Sequence, residues 1–288
     1  MMKLMNHSSV RGGPFTPLLF IILCILSFAP VALAQSGGGG GKDAGQPQQR
    51  QQSQATADKA EGILKRAIEA LGGASYLSVR TLIGRGQFTP YKDGVSGIPV
   101  AFIDYIAYPD RERTEFRGQG GRDIQTNTGA SGWIYDGAAR TVKDMTPEQV
   151  ENFRVTLQTS VENLLRGAWR KDGARLSYVG RREAGIGRRN ETVRLSYPEG
   201  LSVEFEFGAK DGLPAKVIYQ RKDSEGKDVL EEYRMAQYIN VDGIIAPFVI
   251  DYFRAGLQTS RVNYESIEVN APVADALFAR PANAKAVK

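Results

Sequence analysis

The 288-residue chain contains one cysteine and one histidine, and both stand near its beginning, as Cys24 and His7. They fall within a leader. Lys3 and Arg11 supply positive charge, residues 18–28 form a short apolar run, and Ala32-Leu33-Ala34 puts small residues at the two positions a signal peptidase reads. Residues 1–34 are therefore expected to be a signal peptide, cleaved after Ala34 to leave Gln35 as the new N-terminus. The mature chain then holds neither thiol nor imidazole. That excludes Ser-His-Asp and Cys-His triads, disulfides, zinc sites built on Cys or His, and imidazole acid/base chemistry. Long apolar runs are also lacking. The leader's apolar core is about eleven residues against the roughly 20 needed to cross a bilayer, and nothing later is longer, so no transmembrane span is expected in the mature chain. Leu23 before Cys24, where a lipidation signal wants a small residue, argues against an anchored cysteine.

Charge of one sign is scarce too. Removing residues 1–34 takes Lys3 and Arg11 from the 37 basic residues and nothing from the 32 acidic ones, which leaves a formal charge of +3. A nearly balanced chain shows no concentrated basic stripe, and no nucleic-acid partner is expected. Large apolar residues are missing from residues 35–56, where a run from Gly37 to Gly41 is followed by glutamines. This segment reads as a disordered linker with a reach of roughly 25 Å. Its Gly run before Lys42 is no phosphate-binding loop, because Ser36 and Asp43 occupy positions that need Gly and Ser or Thr. Residues 57–288 suit one β-rich domain.

What is present is alternation. Val203, Phe205 and Phe207 share one face of a strand and Glu204 and Glu206 the other, the clearest period-two signal in the chain. Val193, Leu195 and Tyr197 repeat it, as do Val217 and Tyr219, Tyr233 and Met235, Phe248, Ile250 and Tyr252, then Val262 and Tyr264. Turn signals at Pro198-Glu199-Gly200, Lys210-Asp211-Gly212, Ser224-Glu225-Gly226 and Asp242-Gly243 separate these strands. Earlier strands are expected over residues 79–88, 98–108, 111–117 and 122–135, the second of them apolar on both faces. Two helices interrupt the pattern. One begins at Asp58 and ends at Gly72-Gly73; the other is capped by Thr146-Pro147-Glu148-Gln149 and runs over residues 147–169. The expected class is α+β, mainly antiparallel β.

An area argument bears on function. About ten strands at ~4.8 Å spacing and ~22 Å length present an apolar face of roughly 1,000 Å², and two helices of this size cover only about 550 Å². The sheet must curl over the remainder or leave a hydrophobic cavity. The aromatics expected to line the concave face are Trp133, Tyr135, Phe205 and Phe207, joined by Val203, Phe248, Ile250 and Tyr252. Helix 147–169 would be the lid, with Phe153, Leu157, Val161 and Leu164 facing the cavity. No catalytic residue is expected: Glu204 and Glu206, about 7 Å apart, share a face with nothing apolar to raise a pKa. No loop has the spacing of a calcium site, so neither metal nor cofactor is expected. Arg181, Arg182, Arg188 and Arg189 gather at one hairpin tip, a candidate contact for anionic headgroups or for an envelope protein partner.

Ile68-Glu69-Ala70-Leu71-Gly72-Gly73 followed by Val79-Arg80-Thr81-Leu82, then Gly132-Trp133-Ile134-Tyr135-Asp136-Gly137 and Asp242-Gly243-Ile244-Ile245-Ala246-Pro247-Phe248, resemble the periplasmic outer-membrane lipoprotein-sorting proteins of the LolA/LolB-like superfamily. The ending Val269-Asn270-Ala271-Pro272 to Ala276-Leu277-Phe278-Ala279-Arg280-Pro281 is similar to that group's C-terminus. The resemblance implies an incomplete, curved β-barrel, a half-barrel, with helices as a lid over an apolar cavity that receives lipid or the acyl chains of a lipoprotein, in a periplasmic carrier without enzymatic activity. It equally admits envelope-stress sensors that bind other proteins. Intact-mass measurement of the protein recovered from its envelope is expected to place the N-terminus at Gln35, and a mass that retains residues 1–34 contradicts the leader.

Overall fold

A computed structural model describes residues 46–118, 121–223 and 225–287; the expected signal peptide and residues 35–45 of the expected linker lie outside them. Helix α1 (Gln46–Ala70) starts inside that linker. Gln, Ala and Arg are good helix formers and Pro47 sits in the first turn, where its missing N–H costs nothing, so a segment too polar for a core still adopts helix. Farther on, Ala60, Ile63, Leu64, Ala67 and Leu71 recur at helical spacing and are all buried. The stop is enforced by contact. Gly72 has φ +118°, and a Cβ there would lie 2.5 Å from the Gly243 carbonyl oxygen. The Ile245 amide donates to the Leu71 carbonyl, fixing the helix end to a hairpin more than 170 residues away in sequence. A short helix α2 (Ala74–Ser78) follows.

The sheet has fourteen antiparallel strands among the described residues. They are β1 (Thr81–Lys92), β2 (Val95–Ser96), β3 (Val100–Ala107), β4 (Arg111–Gly118), β5 (Gly121–Thr128), β6 (Gly132–Asp136), β7 (Thr141–Asp144), β8 (Arg175–Glu183), β9 (Arg189–Ser196), β10 (Ser202–Gly208), β11 (Pro214–Lys222), β12 (Asp228–Val241), β13 (Ile244–Arg254) and β14 (Leu257–Val269). Their order is β7-β6-β5-β4-β3-β1-β14-β13-β12-β11-β10-β9-β8, with β2 paired to β1. Neighbours are chain neighbours everywhere except at β1–β3, where the short β2 intervenes, and at the β1–β14 seam. The expected strand over 122–135 is two strands, because Gly129, with φ +73°, turns the chain back after Thr128. Register settles the ambiguous strand as well: Phe102 pairs with Gly86 and Asp104 with Gly84, so even-numbered residues of β3 share the inner face with Tyr264.

β7 and β8 are the two edges and do not pair. The barrel is therefore incomplete, and the chain crosses from one edge to the other through α3 (Pro147–Thr159) and α4 (Val161–Arg166). Thr146 caps α3 as its sequence predicts, its hydroxyl accepting from the Gln149 amide at 3.2 Å while the Gln149 side chain accepts from the Thr146 amide at 2.9 Å. The expected single helix 147–169 breaks at Ser160, which is extended and caps α4 by accepting from the Asn163 amide at 3.0 Å. Sheet tyrosines pay for the break: Tyr197 donates to the Gln158 carbonyl at 2.9 Å and Tyr233 to the Thr159 carbonyl at 2.8 Å, which satisfies carbonyls the helix leaves open.

The main core lies between α1, α4 and the inner face of β8 to β11. Leu176, Val193, Leu195, Val203, Phe205, Phe207 and Val217 pack there against Ile63, Leu64, Leu164 and Trp169. Phe205 and Phe207 are each 1% exposed. This half of the sheet is filled by its own helices. Phe205→Ala is expected to lower unfolding free energy by about 3 to 5 kcal/mol, the range for a packed core phenylalanine, while Thr146→Ala costs about 1 kcal/mol through the lost cap. Denaturant midpoints of the two variants measure both, and a loss under about 1 kcal/mol at Phe205 would show the site to be loosely packed.

Candidate functional site

The other half of the inner face, carried by β1, β3, β4, β13 and β14, is covered less completely. Strand register puts Phe88, Val100, Phe102 and Phe116 on it from one side and Ile250, Tyr252, Val262 and Tyr264 from the other. Phe88 meets Phe116 edge-on at 5.8 Å between centroids, and Phe102 meets Tyr264 at 5.4 Å. Most of these side chains are half-buried, and Tyr252 is 38% exposed. One glycine makes the arrangement possible. Gly84 faces Asp104 across the β1–β3 ladder, and a Cβ on Gly84 would stand 2.5 Å from the Tyr264 ring, so only glycine lets that ring lie across β1. From there the Tyr264 hydroxyl donates to Asp104 at 3.3 Å.

Three carboxyl groups share this hollow. Asp104 on β3 is 8% exposed, and its Oδ1 has no hydrogen-bond partner. Glu112 on β4 lies diagonally across from it, since Thr114 is the residue opposite Asp104; such diagonal neighbours stand roughly 7–8 Å apart. Glu162 approaches from α4. No ion pair joins any of the three to a basic side chain among the described residues. Burial pushes Asp104 up to about 6, against weaker opposing hydrogen bonds from Thr114 and Tyr264. Burial, then the negative charges of Asp104 and Glu162, pushes Glu112 up to about 8. Burial also raises Glu162, which the Arg166 guanidinium partly counters. Arg166 is committed elsewhere, donating to the Tyr76, Leu77 and Val79 carbonyls at 3.0 to 3.2 Å and lying 4.3 Å over the Tyr108 ring. Burial lifts the phenols of Tyr76, Tyr108, Tyr233, Tyr252 and Tyr264 above the ordinary range.

The residues expected to line a cavity divide into three sets. Phe248, Ile250 and Tyr252 lie on the inner face, the last two in the hollow. Val203, Phe205 and Phe207 lie on the inner face too, but inside the packed core. Trp133 and Tyr135 do not belong with them. They pair with Thr126 and Ile124, and through these align with Arg113 and Glu115 on the outer face. There Trp133 is buried under the C-terminal segment, its indole donating to the Phe278 carbonyl at 3.0 Å, while Arg113 donates to the Leu277 carbonyl at 2.8 Å and pairs with Glu115. The alternation of β6 is the same whichever face is apolar, and its outer face is apolar because the C-terminal segment covers it.

Of the lid residues, Val161 and Leu164 are built into the main core, Phe153 is buried outside it and Leu157 is half-buried. At the hairpin tip, Arg181 pairs with Glu191 at 2.7 Å, Arg182 with Glu204 at 2.6 Å and Arg189 with Glu183 at 3.3 Å, whereas Arg188 is exposed. Glu206 is not on a solvated face: it is 1% exposed beneath Arg182, Lys216 and Asn190, whose stems and amide roof the outer side of β10. Asp104, Glu112 and Glu162 were not singled out by alternation. Asp104 did leave a trace, as the one charge in the apolar run Val100–Ala107.

No protein-family model matches the chain, and comparison with curated proteins finds no match. Among solved structures, an outer membrane lipoprotein-sorting protein domain from Vibrio parahaemolyticus is similar at 14% identity and TM-score 0.53, over 77% of this chain and 97% of that one. A LolA superfamily protein from Nitrosomonas europaea is similar at 13% identity and TM-score 0.52, over 76% and 97%. The chain shares the fold of these two structures, an open antiparallel half-barrel with helices across its gap. No helix among the described residues is long and apolar enough to cross a membrane.

Ionising Asp104 or Glu112 costs more in the fold than in the unfolded chain, so the folded state holds the extra proton and stability falls as pH rises. The loss is expected to run from about pH 4, where the unfolded carboxyls ionise, to about pH 8, through the raised values of the two groups. Urea midpoints across that range should fall for the wild type and flatten for Asp104→Asn combined with Glu112→Gln. A wild-type midpoint that rises with pH contradicts the buried-acid reading.

Proposed function

We propose that this protein is an exported, non-enzymatic carrier or sensor that takes lipid, or the acyl chains of a lipoprotein, into the hollow of its half-barrel. The observation that carries the reading is the row of half-buried apolar side chains, Phe88, Val100, Phe116, Ile250 and Val262 with the exposed Tyr252, on adjacent strands and outside the packed core. Alkyl chain buried against them would contribute about 0.8 kcal/mol per CH₂. The leader supports a periplasmic location. Similarity of fold to a lipoprotein-sorting domain supports the ligand class, and the basic tip around Arg188 suits an anionic headgroup or an acidic partner surface.

The tight packing of Val203, Phe205 and Phe207 favours a second reading, in which the domain binds an envelope protein and carries no lipid. One experiment separates the two. Native mass spectrometry of the protein from its own envelope should show a bound lipid mass, and Phe116→Ala or Ile250→Ala should weaken a fluorescent fatty acid about tenfold, near 1.4 kcal/mol, with little change in denaturation midpoint. Outer-face Ile103→Ala should leave affinity unaltered. If wild-type protein carries no lipid and binds neither the fatty acid nor an alkyl amphiphile with an uncharged or cationic head, the hollow is not a ligand site and the interaction reading replaces it.

A further inference from the structure

An apolar hollow for alkyl chain has no need of carboxyl groups, yet this one holds three. Their surroundings show what is missing. Asp104 faces inward from β3 with Oδ1 buried and unpartnered, and Glu112 makes no hydrogen bond or ion pair among the described residues. The Tyr76 hydroxyl, on α2, is also buried without a partner, close enough to Glu162 and Tyr108 for their charges to act on it. Among the described residues, every ionisable group facing the pair is an acid, a phenol or the committed Arg166: Glu162 and Arg166 from α4, Tyr108 beyond β3, Tyr252 from β13 and Tyr264 from β14. A buried acid left without a counter-charge shifts toward its protonated form until a positive charge compensates it. Tyrosine rings around a carboxylate pair present negative π faces and hydroxyl acceptors, the surroundings that bind an ammonium group and repel an anion.

We propose that Asp104 and Glu112 form a head-group subsite for a protonated amine, so that the ligand of the hollow is a cationic amphiphile whose ammonium sits between the two carboxyls among Tyr108, Tyr252 and Tyr264. This rests on the carrier reading and narrows it: the alkyl chain lies along Phe88, Phe116 and Ile250, and the acids select the head. Near neutral pH a value of about 6 at Asp104 and about 8 at Glu112 leaves the pair with one proton, chiefly on Glu112, and an arriving ammonium replaces that proton as the compensating charge.

The test uses the mature chain and three probes of equal chain length below their micelle concentrations, dodecylammonium, dodecanoate and dodecyl maltoside, titrated calorimetrically near neutral pH. Dodecylammonium is expected to bind at least about tenfold more tightly than the other two. Its binding should release protons, seen as a heat that depends on the buffer's own ionisation. Asp104→Asn with Glu112→Gln should abolish both the preference and the proton release while leaving dodecyl maltoside affinity within about twofold. Should the double variant fail to fold, Glu112→Gln alone carries the test, since that half-buried side chain anchors nothing else, and at least about a threefold loss of preference is expected. Equal affinities, tighter binding of dodecanoate, or a preference that survives in the variants overturns the subsite while leaving the carrier reading standing. Binding of none of the three overturns both.

Discussion

The edges of the sheet, β7 and β8, are consecutive in the chain yet unpaired, and the gap between them governs the rest of the molecule. Closing it with hydrogen bonds would give a barrel filled by side chains; leaving it open exposes edge strands that invite pairing with other chains. The solution is a helical crossing. α3 leaves from beside β7, and α4 delivers the chain to β8 after burying Val161, Leu164 and Leu165. A straight helix would pass over the inner face at one angle. The break at Ser160 lets α4 drop into the core while α3 stays above it, and the tyrosines that fix this geometry are Tyr197, just after β9, and Tyr233 on β12.

The inner face is consequently divided. At the β8 to β11 end, α1 and α4 supply the apolar cover and the packing resembles any closed core, with Val193, Leu195, Val203 and Val217 all fully buried. Toward β3 and β4 the cover thins, and polar groups appear where a core would place none. Local rules that agree elsewhere in the chain, alternation, capping and turn chemistry, fail at Asp104 and Glu112. Such failures concentrate where a protein binds something. Glu206 shows the contrast: it is as deeply buried as any core residue, but Arg182, Lys216 and Asn190 answer its charge, so its burial is structural.

Much of this was legible in the residues. The strands from 193 onward alternate so regularly that Phe205, Tyr219, Tyr233, Ile250 and Tyr264 could be placed on one face before any register was known, and the Thr146 cap is written in four residues. The failures have physical causes. Periodicity gives the phase of a strand but not which side is covered, so Trp133 and Tyr135 were expected to face inward although a C-terminal segment with little periodicity of its own, residues 271–287, covers the outer side. Apolar spacing continues unbroken through residues 147–169, and only tertiary partners, two tyrosine hydroxyls and the serine cap, decide that the helix must bend. The acid pair is a product of register: Asp104 and Glu112 are eight residues apart in sequence, and only the β3–β4 ladder brings them to the same face.

The β1–β14 seam joins residues near 85 to residues near 265, and on either side of it the strands follow chain order. Each flank can assemble from local hairpins, but the two cannot be united until β14 exists. Within the sheet, pairing is therefore long-range at this seam and local on either side of it, and closing the long loop between β1 and β14 is its slow event. A chain threaded N-terminus first across a membrane would thus arrive as two separate curved sheets, β1 to β7 and β8 to β13. The hollow, whose walls come from both, would come into being only with the last strand, so the chain could not enclose a ligand before its passage was nearly complete.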